Sequence, residues 1–125
     1  MTQQIIVIDD SDTVREQVAI VLVGAGYEGI EAADGRAGAA AIRGNPTAAL
    51  AICDVNMPRL SGVDMLEMLD GTSASSMPVL MLTTEGRPDL IERARAFGAK
   101  GWMVKPFKPT MLLATVRKLV RSNGT

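Results

Sequence analysis

The sequence has few of the features that mark disulfide-stabilised, secreted or membrane proteins. Cys53 is the single cysteine among 125 residues, so no intramolecular disulfide can form and a reducing cytoplasm is the expected location. No basic N-terminal segment leads into a long apolar stretch, and no apolar run approaches the roughly 18 residues of a membrane span. Neither a targeting signal nor membrane insertion is therefore expected. With 47% hydrophobic residues, 22% charged residues and a net charge of -1, the composition is typical of one ordinary globular domain.

Acidic residues are absent from the end of the chain. All 14 acids lie at or before Glu92, whereas lysines and arginines continue to Arg121. One interpretation of this basic segment is nucleic-acid binding, but its aromatic residues Phe97, Trp102 and Phe107 are too few for a stacking array. A solvated helix face is the commoner cause of such a bias. Nucleic acid is therefore not the expected partner.

Short apolar runs alternate with segments of helical spacing. The runs are continuous, which is typical of strands buried on both faces. The predicted strands are Ile5 to Ile8, a weaker run from Tyr27 to Ala32, Leu50 to Cys53, Val79 to Leu82 and Trp102 to Val104. The predicted helices are a stripe from Val14 to Ala25 behind the cap candidates Ser11 and Asp12, Gly35 to Arg43, a stripe through Val63, Leu66 and Leu69, Pro88 to Phe97, and Met111 to Val120 behind Pro109.

This alternation predicts an α/β fold. Five strands joined by five helices with short connections form βαβ units, which give a doubly wound, five-stranded parallel sheet with helices on both faces. Sites in such sheets lie at the carboxyl ends of the strands, where the strand order reverses. The residues that follow each apolar run are therefore the candidates for function.

Polar side chains follow four of the five predicted strands. They are Asp9 and Asp10, then Asp54, then Thr83 and Thr84, and finally Lys105. Three carboxylates at one edge of a sheet repel one another unless a cation neutralises them, and oxygen ligands favour Mg²⁺. A carboxylate, a divalent ion, a lysine and a threonine are the groups required for phosphoryl transfer to an aspartate.

The segment IIVIDDSDTV at residues 5–14 admits two interpretations. In one, Asp10 and Asp12 form the Asp-x-Asp nucleophile signature of a phosphatase of the haloacid dehalogenase superfamily. In the other, Asp9 and Asp10 are half of a metal site whose nucleophile is Asp54. That superfamily needs a further acid after its lysine, and none follows Glu92. The second interpretation is favoured.

The motifs together resemble the receiver domain of two-component response regulators. They are Asp9-Asp10, Asp54-Val55-Asn56-Met57-Pro58 with Gly62, Thr83, and the segment from Gly98 to Phe107. The resemblance covers essentially the whole chain and is greatest to the stand-alone chemotaxis type. It implies a flavodoxin-like (βα)5 sandwich with strand order 2-1-3-4-5. It also implies one receiver domain over residues 1–125, with a structured core from about 4 to 121, and no output domain.

The resemblance assigns roles to individual residues. Asp54 is the expected phosphoacceptor; Mg²⁺ is expected on Asp10, Asp54 and the Asn56 carbonyl, with Asp9 acting through a bound water. Thr83 and Lys105 are expected to contact the phosphoryl group, and the bond before Pro106 is expected to be cis. Asn56 and Glu85 are expected to flank the path of the hydrolytic water, which predicts a short-lived phosphoryl group.

The resemblance also implies a switch and its partners. A histidine kinase or phosphotransfer protein is the expected donor, and a protein target is expected on the surface of the fourth helix, fifth strand and fifth helix. Trp102 stands where the family usually has Tyr or Phe as the aromatic switch residue. The expected surface comprises Arg93, Arg95, Lys100, Trp102, Lys108, Met111 and Leu112, a basic rim that suits an acidic recognition element.

Two questions stay open at this point. The protein is expected to be a monomer or a phosphorylation-dependent dimer, because the same surface forms dimers in some receivers. A receiver-like interaction module that is never phosphorylated is the remaining alternative, although the acid pair, Asp54, Thr83 and Lys105 are all present.

Overall fold

The structure, a computed structural model, describes residues 2–72, 76–84 and 86–123. Within these ranges five strands alternate with five helices. The strands are β1 (Gln4–Ile8), β2 (Glu28–Ala32), β3 (Leu50–Asp54), β4 (Val79–Thr83) and β5 (Ala99–Val104). The helices are α1 (Asp12–Gly24), α2 (Gly35–Gly44), α3 (Gly62–Leu69), α4 (Pro88–Ala96) and α5 (Pro109–Asn123).

The strands form one parallel sheet in the order β2-β1-β3-β4-β5. This order confirms the predicted doubly wound fold. The chain moves outward in one direction from β1 to β2 and in the other from β3 to β5, so the order reverses between β1 and β3. The residues that follow these two strands therefore meet at the reversal, where such sheets carry their sites.

Each face of the sheet is covered by its own set of helices. On one face α1 and α5 cover the sheet, and Val18, Leu22, Leu112 and Val116 are buried there. On the other face α2, α3 and α4 are packed, with a separate set of buried side chains that includes Ile42, Leu66 and Ala94. The sheet is thus held rigid from both sides, which fixes the positions of the residues at its carboxyl edge.

The prediction that every strand is buried on both faces is correct only for the centre of the sheet. Every residue of β3 and β4 is buried, as are Ile5 to Ile8 of β1. The edge strands differ, because each has a neighbour on one side only. Glu28 and Glu31 of β2 and Val104 of β5 are exposed.

The helix starts follow from local capping. Ser11, Asp34 and Ser61 accept hydrogen bonds from the amides of Val14, Ala37 and Asp64 at the starts of α1, α2 and α3. Ser11 rather than Asp12 is therefore the cap of α1. The sequence prediction placed the start of α5 two residues late, and the start of β5 three residues late.

No helix in the described part of the chain is long and apolar enough to cross a membrane.

Candidate functional site

Three aspartates lie together at the carboxyl edge of the sheet. Asp9 and Asp10 follow β1, and Asp54 ends β3. Asp9 and Asp54 are buried, with 1% and 4% of their surfaces exposed, whereas Asp10 is exposed. One oxygen from each carboxylate lies within 4.8 Å of the other two. The structure therefore brings together the three acids that the sequence predicted.

Lys105 reaches this cluster from the end of β5. Its ammonium Nζ lies 2.9 Å from Asp9 Oδ2 and 3.3 Å from Asp54 Oδ1. The backbone amide of Lys105 also donates to the carbonyl of Thr83 at 2.6 Å, so the lysine is fixed to the end of β4. The bond between Lys105 and Pro106 is cis, as the resemblance implies.

The charges in the cluster shift the protonation equilibria of its members. Burial, followed by the charge of Asp9, raises the pKa of Asp54 above its ordinary value, although Lys105 opposes the shift. Burial lowers the pKa of Lys105, but its hydrogen bonds with Asp9 and Asp54 and the charges of both carboxylates together outweigh burial and raise that pKa. A protonated lysine is therefore favoured between two carboxylates.

The donor set of the cluster fits Mg²⁺. All three candidate ligands are carboxylate oxygens, which Mg²⁺ prefers, and oxygens on one Mg²⁺ lie at most about 4.2 Å apart. The observed 4.8 Å limit is close to that spacing. Three carboxylates against the single ammonium of Lys105 leave two formal negative charges, which a divalent cation neutralises. Asp9, Asp10 and Asp54 are thus able to hold the ion.

Thr83 lies beside the cluster at the end of β4 and is fully buried. Its hydroxyl oxygen accepts a hydrogen bond from Asn56 Nδ2 at 3.3 Å, and the same amide reaches the hydroxyl of Thr84 at 3.4 Å. The backbone amide of Asn56 donates to Asp54 Oδ1 at 3.3 Å. Asn56 therefore connects the candidate phosphoacceptor to the candidate switch threonine, a contact that the sequence did not predict.

The loop after Asp54 has an unusually close backbone packing. A Cβ atom on Gly62 would lie 2.3 Å from the carbonyl oxygen of Asp54 and 2.8 Å from Met81 Cε. Within the same loop Arg59 has a φ of 71°, which is unfavourable for a residue with a Cβ. Gly62 is thus required for the approach of α3 to the end of β3.

Trp102 is half-buried and packs against the core on the α4 side of the sheet. Its indole nitrogen Nε1 is buried and has no hydrogen-bond partner among the described residues. An unpaired buried donor costs about 1–3 kcal/mol. The burial of this indole donor therefore carries an energetic cost within the described part of the chain.

Several expectations for the outer residues need correction. Leu112 was expected on the partner surface but is fully buried, because it lies on the face of α5 that packs into the core with Val116 and Val120. Arg93 was expected in a basic rim, yet its guanidinium binds Asp64 Oδ1 at 2.9 Å and Glu67 Oε1 at 3.3 Å on α3. Arg95, Lys100, Lys108 and Met111 are exposed as expected.

Another sequence candidate, Asp12, does not enter the cluster. Asp12 is in the first turn of α1, its side chain is 91% exposed, and it pairs with Arg15. This position does not suit the acid or base of the phosphatase interpretation. Glu85 lies outside the described residues.

An apolar groove opens beside Lys105, and sequence reasoning missed it. The groove has a volume of about 720 Å³ and runs between α1 and the loop from β5 to α5. Its lining includes Val14, Ile20, Val21 and Phe107, with Thr84 and Lys105 at the end nearest the acids. Ile20 is 65% exposed, so its side chain presents apolar surface at this groove.

Comparison with known proteins places the chain in a family. The family model described as the response regulator receiver domain matches residues 5–117. Chemotaxis protein CheY1 of Helicobacter pylori is 30% identical over 122 residues, which are 96% of this chain and 98% of that protein. The DNA-binding response regulator MtrA of Mycobacterium tuberculosis is 32% identical over 123 residues, 98% of this chain but 53% of MtrA. The chain thus spans about half the length of that curated relative.

Solved structures agree with this assignment. Chemotaxis protein CheY4 of Vibrio cholerae is 37% identical, with a TM-score of 0.88 over 95% of this chain and 99% of that chain. A receiver domain protein of Methanospirillum hungatei shares the fold, with a TM-score of 0.89 at 24% identity over 98% of this chain and 97% of that chain. The chain therefore belongs to the response regulator receiver domain family, the signalling modules of two-component systems.

Proposed function

We propose that this protein is a phosphorylation-activated response regulator in which Asp54 accepts a phosphoryl group from a histidine kinase or phosphotransfer protein. One observation carries the proposal: a buried carboxylate at the end of β3 lies 3.3 Å from the Lys105 ammonium and beside two further acids. An oxygen of Asp54 forms the new bond to phosphorus. The bond from phosphorus to the donor's nitrogen breaks, and that nitrogen keeps the electron pair.

Mg²⁺ is the proposed cofactor. We assign Asp10, Asp54 and the carbonyl of Asn56 as its ligands, with Asp9 acting through water. When bound, the ion neutralises charge on the phosphoryl oxygens during transfer. Asp9 has a second task, because its carboxylate orients the Lys105 ammonium at 2.9 Å. Support for the ion comes from the oxygen donor set and from the negative charge of the cluster.

Lys105 and Thr83 are the proposed contacts of the transferred phosphoryl group. Lys105 already lies within contact distance of Asp54, so its charge is in place before transfer begins. Thr83 is held next to Asn56 at the end of the neighbouring strand. Transfer adds about two negative charges and three acceptor oxygens at Asp54, and both side chains are able to respond to them.

The phosphodonor is proposed to dock in the groove between α1 and the loop from β5 to α5. Lys105 and Thr84 form the end of this groove, so a histidine presented from a partner lying in it would reach Asp54. The lining is mainly apolar, and the exposed Ile20 extends it along α1. An amphipathic helix of the donor is the partner that fits this surface.

The output surface is proposed to be α4, β5 and α5. Thr83 and Lys105 are joined by a backbone hydrogen bond at the strand ends next to this surface, so changes at Asp54 are transmitted there. Arg95, Lys100 and Lys108 provide positive charge for a protein target with an acidic element.

The pathway and location are proposed from two further observations. The full-length match to chemotaxis proteins supports chemotaxis as the pathway. The buried free thiol of Cys53 supports the cytoplasm as the location. We propose a monomer, or a dimer formed on phosphorylation.

The phosphorylated state is proposed to be short-lived. Asn56 stands two residues beyond Asp54 and Glu85 two residues beyond Thr83, and polar residues at these positions admit and orient the hydrolytic water. The test is the lifetime of the phosphoryl group on the isolated protein with Mg²⁺. A half-life of hours would contradict the proposal.

The proposed function is tested by incubation with acetyl phosphate, with intact mass recorded over time. We expect one phosphoryl adduct on the wild-type protein, dependent on Mg²⁺, and none on Asp54→Asn. Asp10→Asn should need more Mg²⁺ for the same labelling, since it loses a ligand but keeps the nucleophile. Asp64→Asn, which removes a half-exposed acid of α3, is the matched control and should be labelled like the wild type.

Each contrary result has a distinct meaning. Labelling of Asp54→Asn would show that the nucleophile is a different residue and would revive Asp10 as the candidate. A wild-type protein that binds Mg²⁺ but is never labelled would favour the alternative, an interaction module that is not phosphorylated.

A further inference from the structure

We infer that Arg15 is a positioning residue for the metal-binding acids, one that fixes the backbone from which Asp9 and Asp10 project. The inference rests on the proposed Mg²⁺ site. It concerns a side chain that does not contact the Asp54 carboxylate in the structure and that the proposed mechanism does not use.

Arg15 is held by three separate segments of the chain. Its Nη1 donates to the backbone carbonyl of Asp9 at 2.5 Å, and its Nη2 pairs with the carboxylate of Asp12 in the first turn of α1. Its Nε lies 3.3 Å from Oε1 of Glu31 on β2. Only 12% of the Arg15 side chain is exposed. The planar guanidinium is thus fixed in one orientation, which a flexible ammonium could not reproduce.

The contact with Asp9 is to its backbone and not to its carboxylate. The Asp9 carboxylate is already engaged, accepting from the Ser11 amide at 2.9 Å and from Lys105 at 2.9 Å. The Asp9 amide continues the sheet by donating to the carbonyl of Ala32 at 3.1 Å. Its carbonyl, one residue beyond β1, is where the chain leaves the sheet, and Arg15 binds it there.

Fixing that carbonyl fixes the next residue as well. The carbonyl of Asp9 and the amide of Asp10 belong to one planar peptide unit, so the direction in which Asp10 leaves the strand is set by the same hydrogen bond. Asp10 is exposed and lacks the packing that holds Asp9 and Asp54. Its carboxylate therefore depends on the backbone for its position near the other two acids.

Loss of the Arg15 charge and loss of its hydrogen bond to Asp9 would change the affinity for Mg²⁺ in opposite directions. A positive charge near the site repels Mg²⁺, so deletion of that charge alone would strengthen Mg²⁺ binding. Loss of a hydrogen bond that orients metal ligands weakens metal binding, typically by about 10–100-fold. Asp12 and Glu31 already neutralise much of the Arg15 charge, so we expect positioning to dominate.

The test is calorimetric titration of Mg²⁺ into the wild type, Arg15→Ala, Arg15→Lys and the control Arg43→Ala. Arg43 is an exposed arginine in the last turn of α2, at the opposite edge of the sheet. We expect Kd to rise about tenfold in Arg15→Ala and a few-fold in Arg15→Lys, which keeps the charge but not the three-way fork. Arg43→Ala should match the wild type. Urea unfolding of each protein without Mg²⁺ shows which variants are folded.

The outcomes separate this inference from the proposed function. A wild-type protein that does not bind Mg²⁺ would overturn the proposed metal site and this inference with it. If the wild type binds, an unchanged or lowered Kd in Arg15→Ala overturns the inference alone, as does a loss of stability with no change in Kd. Should Arg15→Ala not fold, an unchanged Kd in Arg15→Lys overturns it, and a raised Kd supports it.

Discussion

The ammonium of Lys105 lies 3.3 Å from the carboxylate of Asp54, although the two residues end strands that are not neighbours in the sheet. Strand β4 lies between them, and the Lys105 amide is bound to the carbonyl of Thr83 at the end of that strand. The three residues that are proposed to handle the phosphoryl group are therefore fixed at the ends of β3, β4 and β5.

Replacement of Lys105 by Met should strengthen Mg²⁺ binding but slow phosphoryl transfer. Loss of the ammonium removes a competitor for the acids, so Mg²⁺ should bind several-fold more tightly, in line with roughly 1 kcal/mol or more for adjacent unit charges. Labelling by acetyl phosphate should nevertheless slow by about 100-fold, because a fixed charge is lost from the site of transfer. Calorimetry and intact mass measure the two effects. Lys100→Met, on the exposed side of β5, is the control, and equal behaviour of both variants would contradict the assignment of Lys105.

Substitution of Gly62 by Ala should destabilise the protein by about 1–3 kcal/mol. The added Cβ would lie 2.3 Å from the Asp54 carbonyl oxygen, so the backbone of either β3 or α3 must shift. A Cβ on Gly24, at the end of α1, would meet no atom within 4 Å, and Gly24→Ala should change stability by less than about 1 kcal/mol. Urea unfolding of both variants provides the comparison. A Gly62→Ala protein as stable as the wild type would show that the α3 contact is not rigid.

Arg59 has a left-handed backbone, with φ at 71°. Asn tolerates this conformation better than Arg does, so Arg59→Asn should increase the free energy of unfolding by about 0.5–1 kcal/mol. Arg59→Ala keeps the Cβ and removes only the charged end, so it separates backbone strain from side-chain effects. If Arg59→Ala and Arg59→Asn have the same free energy of unfolding, any gain in stability does not come from relief of backbone strain.

Cys53 should resist thiol reagents in the folded protein. Burial, followed by the charges of Asp54 and Asp9, raises the pKa of its thiol well above the ordinary value, so the reactive thiolate is scarce at pH 8. We expect no modification by a coloured disulfide reagent under native conditions and full modification in guanidinium chloride. Rapid reaction of the native protein at the rate of a free thiol would contradict the buried position of Cys53 in β3.

The main features of the site could be predicted from the sequence because strand ends are easy to locate. Continuous apolar runs predicted β1, β3, β4 and β5, and parallel strands place the residues after them on one edge. This reasoning predicted that Asp9, Asp10, Asp54 and Lys105 lie together, and the structure confirms that they are neighbours.

The contacts that depend on side-chain direction could not be predicted in the same way. Arg15 bonds to a backbone carbonyl six residues earlier and to Glu31 on another strand, and neither contact follows from a periodic pattern. Arg93 binds Asp64 and Glu67 on α3, a contact between residues more than 25 positions apart that no local pattern indicates. The burial of Leu112 was detectable, since Leu112, Val116 and Val120 recur every four residues along α5.

The central claim is that Asp54 itself receives the phosphoryl group, and the most direct test is to locate the adduct. After labelling with acetyl phosphate and Mg²⁺, borohydride reduction converts an aspartyl phosphate to homoserine, and peptide mass mapping then identifies the altered residue. The account predicts homoserine at position 54 and unmodified Asp9 and Asp10. Homoserine at position 10, with Asp54 intact, would contradict it.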